Sequence, residues 1–141
     1  MTDAPGDSKN AADAPKILFV EHDALERTAI ASYLRECGYQ VVEAVSAEEA
    51  QAVLRERGRE FDIAFIAVDM PGDVDGFALS HWIREHANGI RVLLSASIEK
   101  AAKVAGDLCE AGPHLRKPYE PQALLDWVRR LRAPRKGDGG N

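Results

Sequence analysis

The sequence predicts an α/β domain on a doubly wound parallel sheet of five strands. Short apolar runs without polar alternation, such as Ile17-Leu18-Phe19-Val20 and Ile63 to Val68, suit strands covered on both faces. Between them lie segments whose apolar residues recur at helical spacing. Strand and helix therefore alternate along the chain, an order that closes through right-handed βαβ crossovers.

Ile17 to Val20 is the first strand, and Ala24 to Cys37 follows as a helix with Leu25, Ala29, Ile30, Tyr33 and Leu34 facing inward and Gly38 as its C-terminal cap. Gln40 to Ala44 is β-prone. Ser46-Ala47-Glu48-Glu49 forms a capping box that opens a helix to about Arg57. Ile63 to Val68 is the third strand, and Gly76 to His86 a helix bearing Phe77, Leu79, Trp82 and Ile83. Arg91 to Leu94 is the fourth strand. Ile98 to Glu110 is a helix with Ile98, Ala101, Ala105 and Leu108 inward, followed by a short strand at His114-Leu115-Arg116. Pro121 to Arg132 closes the fold as a helix, with proline at a tolerated first-turn position and Leu124, Val128 and Leu131 on its inner face.

Residues 15–132 are thus expected to form one domain, within a chain of 141 residues. Residues 1–14 and 133–141 carry almost nothing large and apolar, so they are expected to be a disordered tail and a flexible tail. A net charge of −5 and a pI near 5.4 speak against nucleic acid as the partner. No apolar run approaches the ~20 residues that span a bilayer, and no leader pattern opens the chain, so a cytoplasmic protein without membrane contact is expected. Cys37 and Cys109 have no metal or redox spacing and read as small buried or half-buried side chains.

In a doubly wound sheet, functional residues gather at the carboxyl ends of the strands. That rule singles out Glu21, His22 and Asp23, Ala67 to Asp69, Ser95, and Lys117-Pro118. With Met70-Pro71-Gly72 and Asp75-Gly76 in the third loop, and Ser95-Ala96 and Lys117-Pro118-Tyr119 beyond, the chain resembles the response-regulator receiver domain of two-component signalling over about Lys16 to Arg132. The resemblance implies a flavodoxin-like (βα)5 fold and a phosphoaspartate site. It assigns Glu21 and His22 to a pair of Mg²⁺-binding acids, Ala67 to the phosphoryl acceptor four residues before Pro71, Ser95 to a hydroxyl switch, and Lys117 to the phosphate-pairing lysine.

Two of those positions depart from the pattern. Alanine at 67 removes the nucleophile and a metal ligand, and His22 offers nitrogen where Mg²⁺ prefers oxygen. No cofactor is expected, with Mg²⁺ binding weak or absent, and no enzymatic activity. The vestigial pocket comprises Glu21, His22, Asp69, Ser95 and Lys117, and Lys117, having lost its usual carboxylate partner, is expected to pair with Glu21. The resemblance places signalling output on the last strand and its two neighbouring helices, where His114, Trp127 and Tyr119 mark a candidate interaction face. His114 departs there from the common aromatic residue. Trp82 and Trp127 lie beside core positions, where packing is the first expectation.

The function expected is that of a stand-alone pseudo-receiver, a phosphorylation-independent interaction module that docks on a histidine kinase, phosphotransferase or other signalling protein, as a monomer or weak dimer. The alternative is a phosphate-accepting single-domain response regulator in which Ala67 is an engineered replacement for aspartate or a neighbouring acid such as Asp69 takes over.

Overall fold

The computed structural model describes residues 14–103, 105–106 and 112–132. The expectations for the two tails, apart from Ala14, and for Leu108, Cys109 and Glu110 fall outside the described residues, as do the side chains of Ile98 and Ala101.

Strand β1 spans Lys16–Val20, β2 Gln40–Ala44, β3 Ile63–Ala67, β4 Arg91–Ser97 and β5 His114–Lys117. Helix α1 spans Ala24–Glu36, α2 Ala47–Arg57, α3 Gly76–His86, α4 Ile98–Lys103 and α5 Pro121–Arg132, with a 3-10 turn at Gly58–Glu60. The sheet is wholly parallel in the order β2-β1-β3-β4-β5, so the strand order reverses between β1 and β3. The register Val20↔Ile66 and Ala67↔Ser95 brings the ends of β1 and β3 level with Ser95 of β4.

The apolar runs fold this way because β1, β3 and β4 each feed two cores. Ile17, Phe19, Ile63, Phe65 and Leu93 pack with Ala31 and Leu34 of α1 and Leu124 and Val128 of α5. Leu18, Val20, Ala64, Ile66 and Leu94 pack with Ala50 and Leu54 of α2 and Leu79 and Ile83 of α3. Phe19 and Phe65 stack at the centre with ring centroids 5.1 Å apart.

Helix starts are fixed by side-chain caps. Asp23, Ser46 and Asp75 accept hydrogen bonds from the amides of Glu26, Glu49 and Ala78, at 2.9, 3.1 and 2.9 Å. The capping box closes one residue early, because the Glu49 carboxylate accepts from the Val45 amide rather than from Ser46. Gly38 adopts φ 99° just beyond α1, the left-handed conformation its position calls for.

Several expectations are corrected. Leu25 is 85% exposed and Ala29 is exposed, while Ala31 and Leu34 are the buried residues of α1. The buried face of α1 is centred on Ala31 and Leu34, which pack with Ile17, Phe19 and Val41 of the sheet. Cys37 is exposed at the end of α1 rather than buried. Ala105 is exposed as well. Strand β3 ends at Ala67, one residue earlier than the apolar run, and β4 runs on through Ser95 to Ser97 because β5 pairs alongside it.

Candidate functional site

The carboxyl ends of β1, β3, β4 and β5 bring Glu21, Ala67, Ser95 and Lys117 to one end of the sheet. Ala67 is 1% exposed and sits directly across from Ser95, which is also 1% exposed. The Val68 amide donates to the Ser95 carbonyl at 2.8 Å, and the Gly76 amide to the Val68 carbonyl at 3.1 Å. The loop after β3 thus folds straight back onto the strand end. Gly76 is required there, because a Cβ at that position would lie 2.4 Å from the Ala67 carbonyl oxygen and 2.7 Å from Val68 Cα.

Glu21 is the buried charge of the site, 1% exposed. Its Oε1 accepts from Lys117 Nζ at 2.6 Å, and its Oε2 accepts from the Asp23 amide at 3.1 Å. The ammonium makes a second ion pair, to Glu26 Oε2 at 3.1 Å. Burial alone draws the Lys117 pKa down, but the hydrogen bonds to Glu21 and Glu26 outweigh it and hold the lysine above its ordinary value. Glu21 and Lys117 are therefore paired, as the sequence led us to expect.

Glu26 was missed in the sequence because an acid three residues after an N-cap reads as a partner of the helix dipole. Only the fold shows that this first turn of α1 comes within reach of Lys117 at the end of β5.

The other pocket positions scatter. His22 Nδ1 lies 3.6 Å from Glu21 Oε2, beyond hydrogen-bond reach, and the ring is 48% exposed. Asp69 is exposed, and its carboxylate faces Lys100 of α4 at 3.5 Å. Tyr119 packs its ring edge-on against Phe65 at 5.8 Å, with its hydroxyl buried and unpartnered. Burial first, then the nearby charges of Glu26 and Glu21, push that phenol well above its ordinary range.

His114 opens β5, half-buried, with Nδ1 3.5 Å from the Gly112 carbonyl. Trp127 is half-buried beside the α1/α5 core, and the Arg130 guanidinium lies 4.3 Å from its ring centroid.

The donor set does not fit a magnesium ion. A hard cation of that size needs several oxygen ligands. Here Ala67 supplies none from its side chain, both oxygens of Glu21 are engaged, and the Asp69 carboxylate faces Lys100. Among the described residues no three or more His, Cys, Asp or Glu side chains gather as a metal-holding group.

Residues 17–129 match the family model of the response regulator receiver domain. The chain is 33% identical over 124 residues to the transcriptional regulatory protein GltR of Pseudomonas aeruginosa, covering 86% of this chain and 50% of that protein. It is 30% identical over 119 residues to the aerobic respiration control protein ArcA of Escherichia coli, covering 83% and 48%. The chain spans about half the length of the curated relatives it matches. Among solved structures, a response regulator receiver domain protein from Clostridium thermocellum superposes with a TM-score of 0.76 at 20% identity, covering 83% of this chain and 93% of that one. A chemotaxis response regulator of Vibrio cholerae gives 0.72 at 24% identity, covering 84% and 98%. These two likenesses establish the shared fold.

Proposed function

The chain belongs to the response-regulator receiver family of two-component signalling, and from that premise we propose that it is a pseudo-receiver, an interaction module that works without phosphoryl transfer at position 67. The observation that carries this reading is the methyl group of Ala67, buried across from Ser95 at the strand end where the family's acceptor stands. Phosphoryl transfer needs a positioned oxygen nucleophile in line with its donor, and alanine has none. Asp69 is a poor replacement, since its carboxylate faces outward to Lys100.

On this reading Mg²⁺ binds weakly or not at all, the chain is no enzyme, and its fixed pocket supports a docking surface for a cytoplasmic histidine kinase or phosphotransferase. His114, Tyr119 and Trp127 are the residues proposed for that surface. The chain itself works as a monomer or weak dimer without contacting nucleic acid, although GltR bears the name of a transcriptional regulatory protein.

The test is a titration of the isotope-labelled protein with Mg²⁺ and beryllofluoride, followed by amide NMR. The expected spectrum is unchanged at Ser95 and Lys117. Saturable shifts at those residues would sink the pseudo-receiver reading in favour of a phosphate-accepting regulator.

A further inference from the structure

The geometry points to Glu26 as a second closure of the pocket: together with Glu21 it captures the Lys117 ammonium as a resident cation, which shuts out a divalent ion even when position 67 carries a carboxylate. This rests on the pseudo-receiver reading and goes a step past it, because it assigns the loss of cation binding to a residue other than Ala67.

An ammonium has three N–H donors. Two meet Glu21 Oε1 at 2.6 Å and Glu26 Oε2 at 3.1 Å, so at most one is left for anything at position 67. Glu21 is equally committed, its second oxygen taking the Asp23 amide. A buried carboxylate cannot stand without a counter-charge, so an incoming cation must first displace one that is tethered to the chain and present at high effective concentration.

The surroundings strengthen the hold. Glu26, Ile30, Lys117, Pro118 and Tyr119 line a cleft of about 430 Å³ between α1 and the link from β5 to α5. The apolar side chains there limit screening of the pair. Glu26 projects from the first turn of α1, which Asp23 caps, so the lysine is drawn toward α1. His22, half-exposed and 3.6 Å from Glu21, adds no oxygen to compensate.

Three variants decide the matter: Ala67→Asp, Ala67→Asp/His22→Asp, and that pair with Glu26→Gln, each titrated with Mg²⁺ and beryllofluoride and read by fluorine NMR and by the Ser95 amide. The expected result is no saturable binding by Ala67→Asp, weak binding by the double variant, and binding at least tenfold tighter when Glu26→Gln is added. Saturation of Ala67→Asp alone overturns the inference, and so does an unchanged affinity or continued silence on adding Glu26→Gln.

Because aspartate at a buried position can impair folding, a second measurement uses the otherwise unsubstituted chain. In Glu26→Gln the Lys117 ammonium, held then by Glu21 alone, exchanges its protons with water faster at neutral pH, followed by nitrogen NMR; an unchanged exchange rate overturns the inference on its own. Beryllofluoride binding by the unsubstituted protein would instead overturn the pseudo-receiver reading, so the two failures are distinguishable.

Discussion

One tight backbone approach at the site is made by a residue without a side chain. Gly76 opens α3 against the Ala67 carbonyl, and a methyl there would sit 2.4 Å from that oxygen, inside any tolerable contact. Because the obstacle is backbone on both sides, relief requires moving either the end of β3 or the start of α3. Gly76→Ala is therefore expected to lower unfolding free energy by about 3 kcal/mol, read by urea denaturation, and an unchanged midpoint would mean that the loop yields freely. Glycine at 76 was visible in the sequence only as part of Asp75-Gly76; its reason, contact with a strand ten or so residues earlier, was not. The same holds for Glu26, which reads locally as a helix-start acid and acquires its second role only when folding brings Lys117 beside it. By contrast Glu21, Ala67, Ser95 and Lys117 were legible, since strand ends of a doubly wound sheet converge whatever the packing details.

Helix α1 shows where periodicity alone misleads. Leu25, Ala29, Ile30, Tyr33 and Leu34 share a helical stripe, yet Leu25 is 85% exposed while Ala31 and Leu34 are fully buried. A hydrophobic stripe reports an average direction, and the face that meets the sheet here is centred on Ala31 and Leu34 instead. Boundaries of the strands failed for a related reason: β4 extends to Ser97 through polar residues because pairing with β5, and not hydrophobicity, continues the ladder. The consequence for α1 is measurable. Leu34→Ala should cost about 3 kcal/mol by leaving a cavity beside Phe19 and Leu124. Leu25→Ala should stay within about 0.5 kcal/mol. Equal losses in the two variants, compared by chemical denaturation, would place Leu25 in the core after all.

Across the whole molecule, charge pairs at opposite ends of the sheet limit stability from opposite sides of the pH scale. At the amino ends of the strands, hydrogen bonds from Arg57 and then Lys16 hold the Glu60 carboxyl from 4.5 down to about 2. A depressed carboxyl contributes stability above its unfolded value and loses it as pH falls through the folded one, so this share fades between about 4.5 and about 2. At the carboxyl ends, Lys117 is held above its ordinary 10.5 by Glu21 and Glu26, against the effect of burial. A raised lysine contributes fully below 10.5 and loses its share as pH climbs through its folded value, when neutralisation strips buried Glu21 of its partner. Tyr119 adds to the same alkaline loss, as does Tyr33, because burial disfavours ionisation of each in the folded state above the unfolded value of 10.0. Melting temperature against pH should therefore show two separable limbs. Glu60→Gln flattens the acid limb and leaves the alkaline one in place. Lys117→Met lowers stability at neutral pH and flattens part of the alkaline limb, and Tyr119→Phe removes a further part without the neutral-pH loss. Should Lys117→Met leave both the neutral melting temperature and the alkaline slope untouched, the ion pairs at the pocket would hold nothing together.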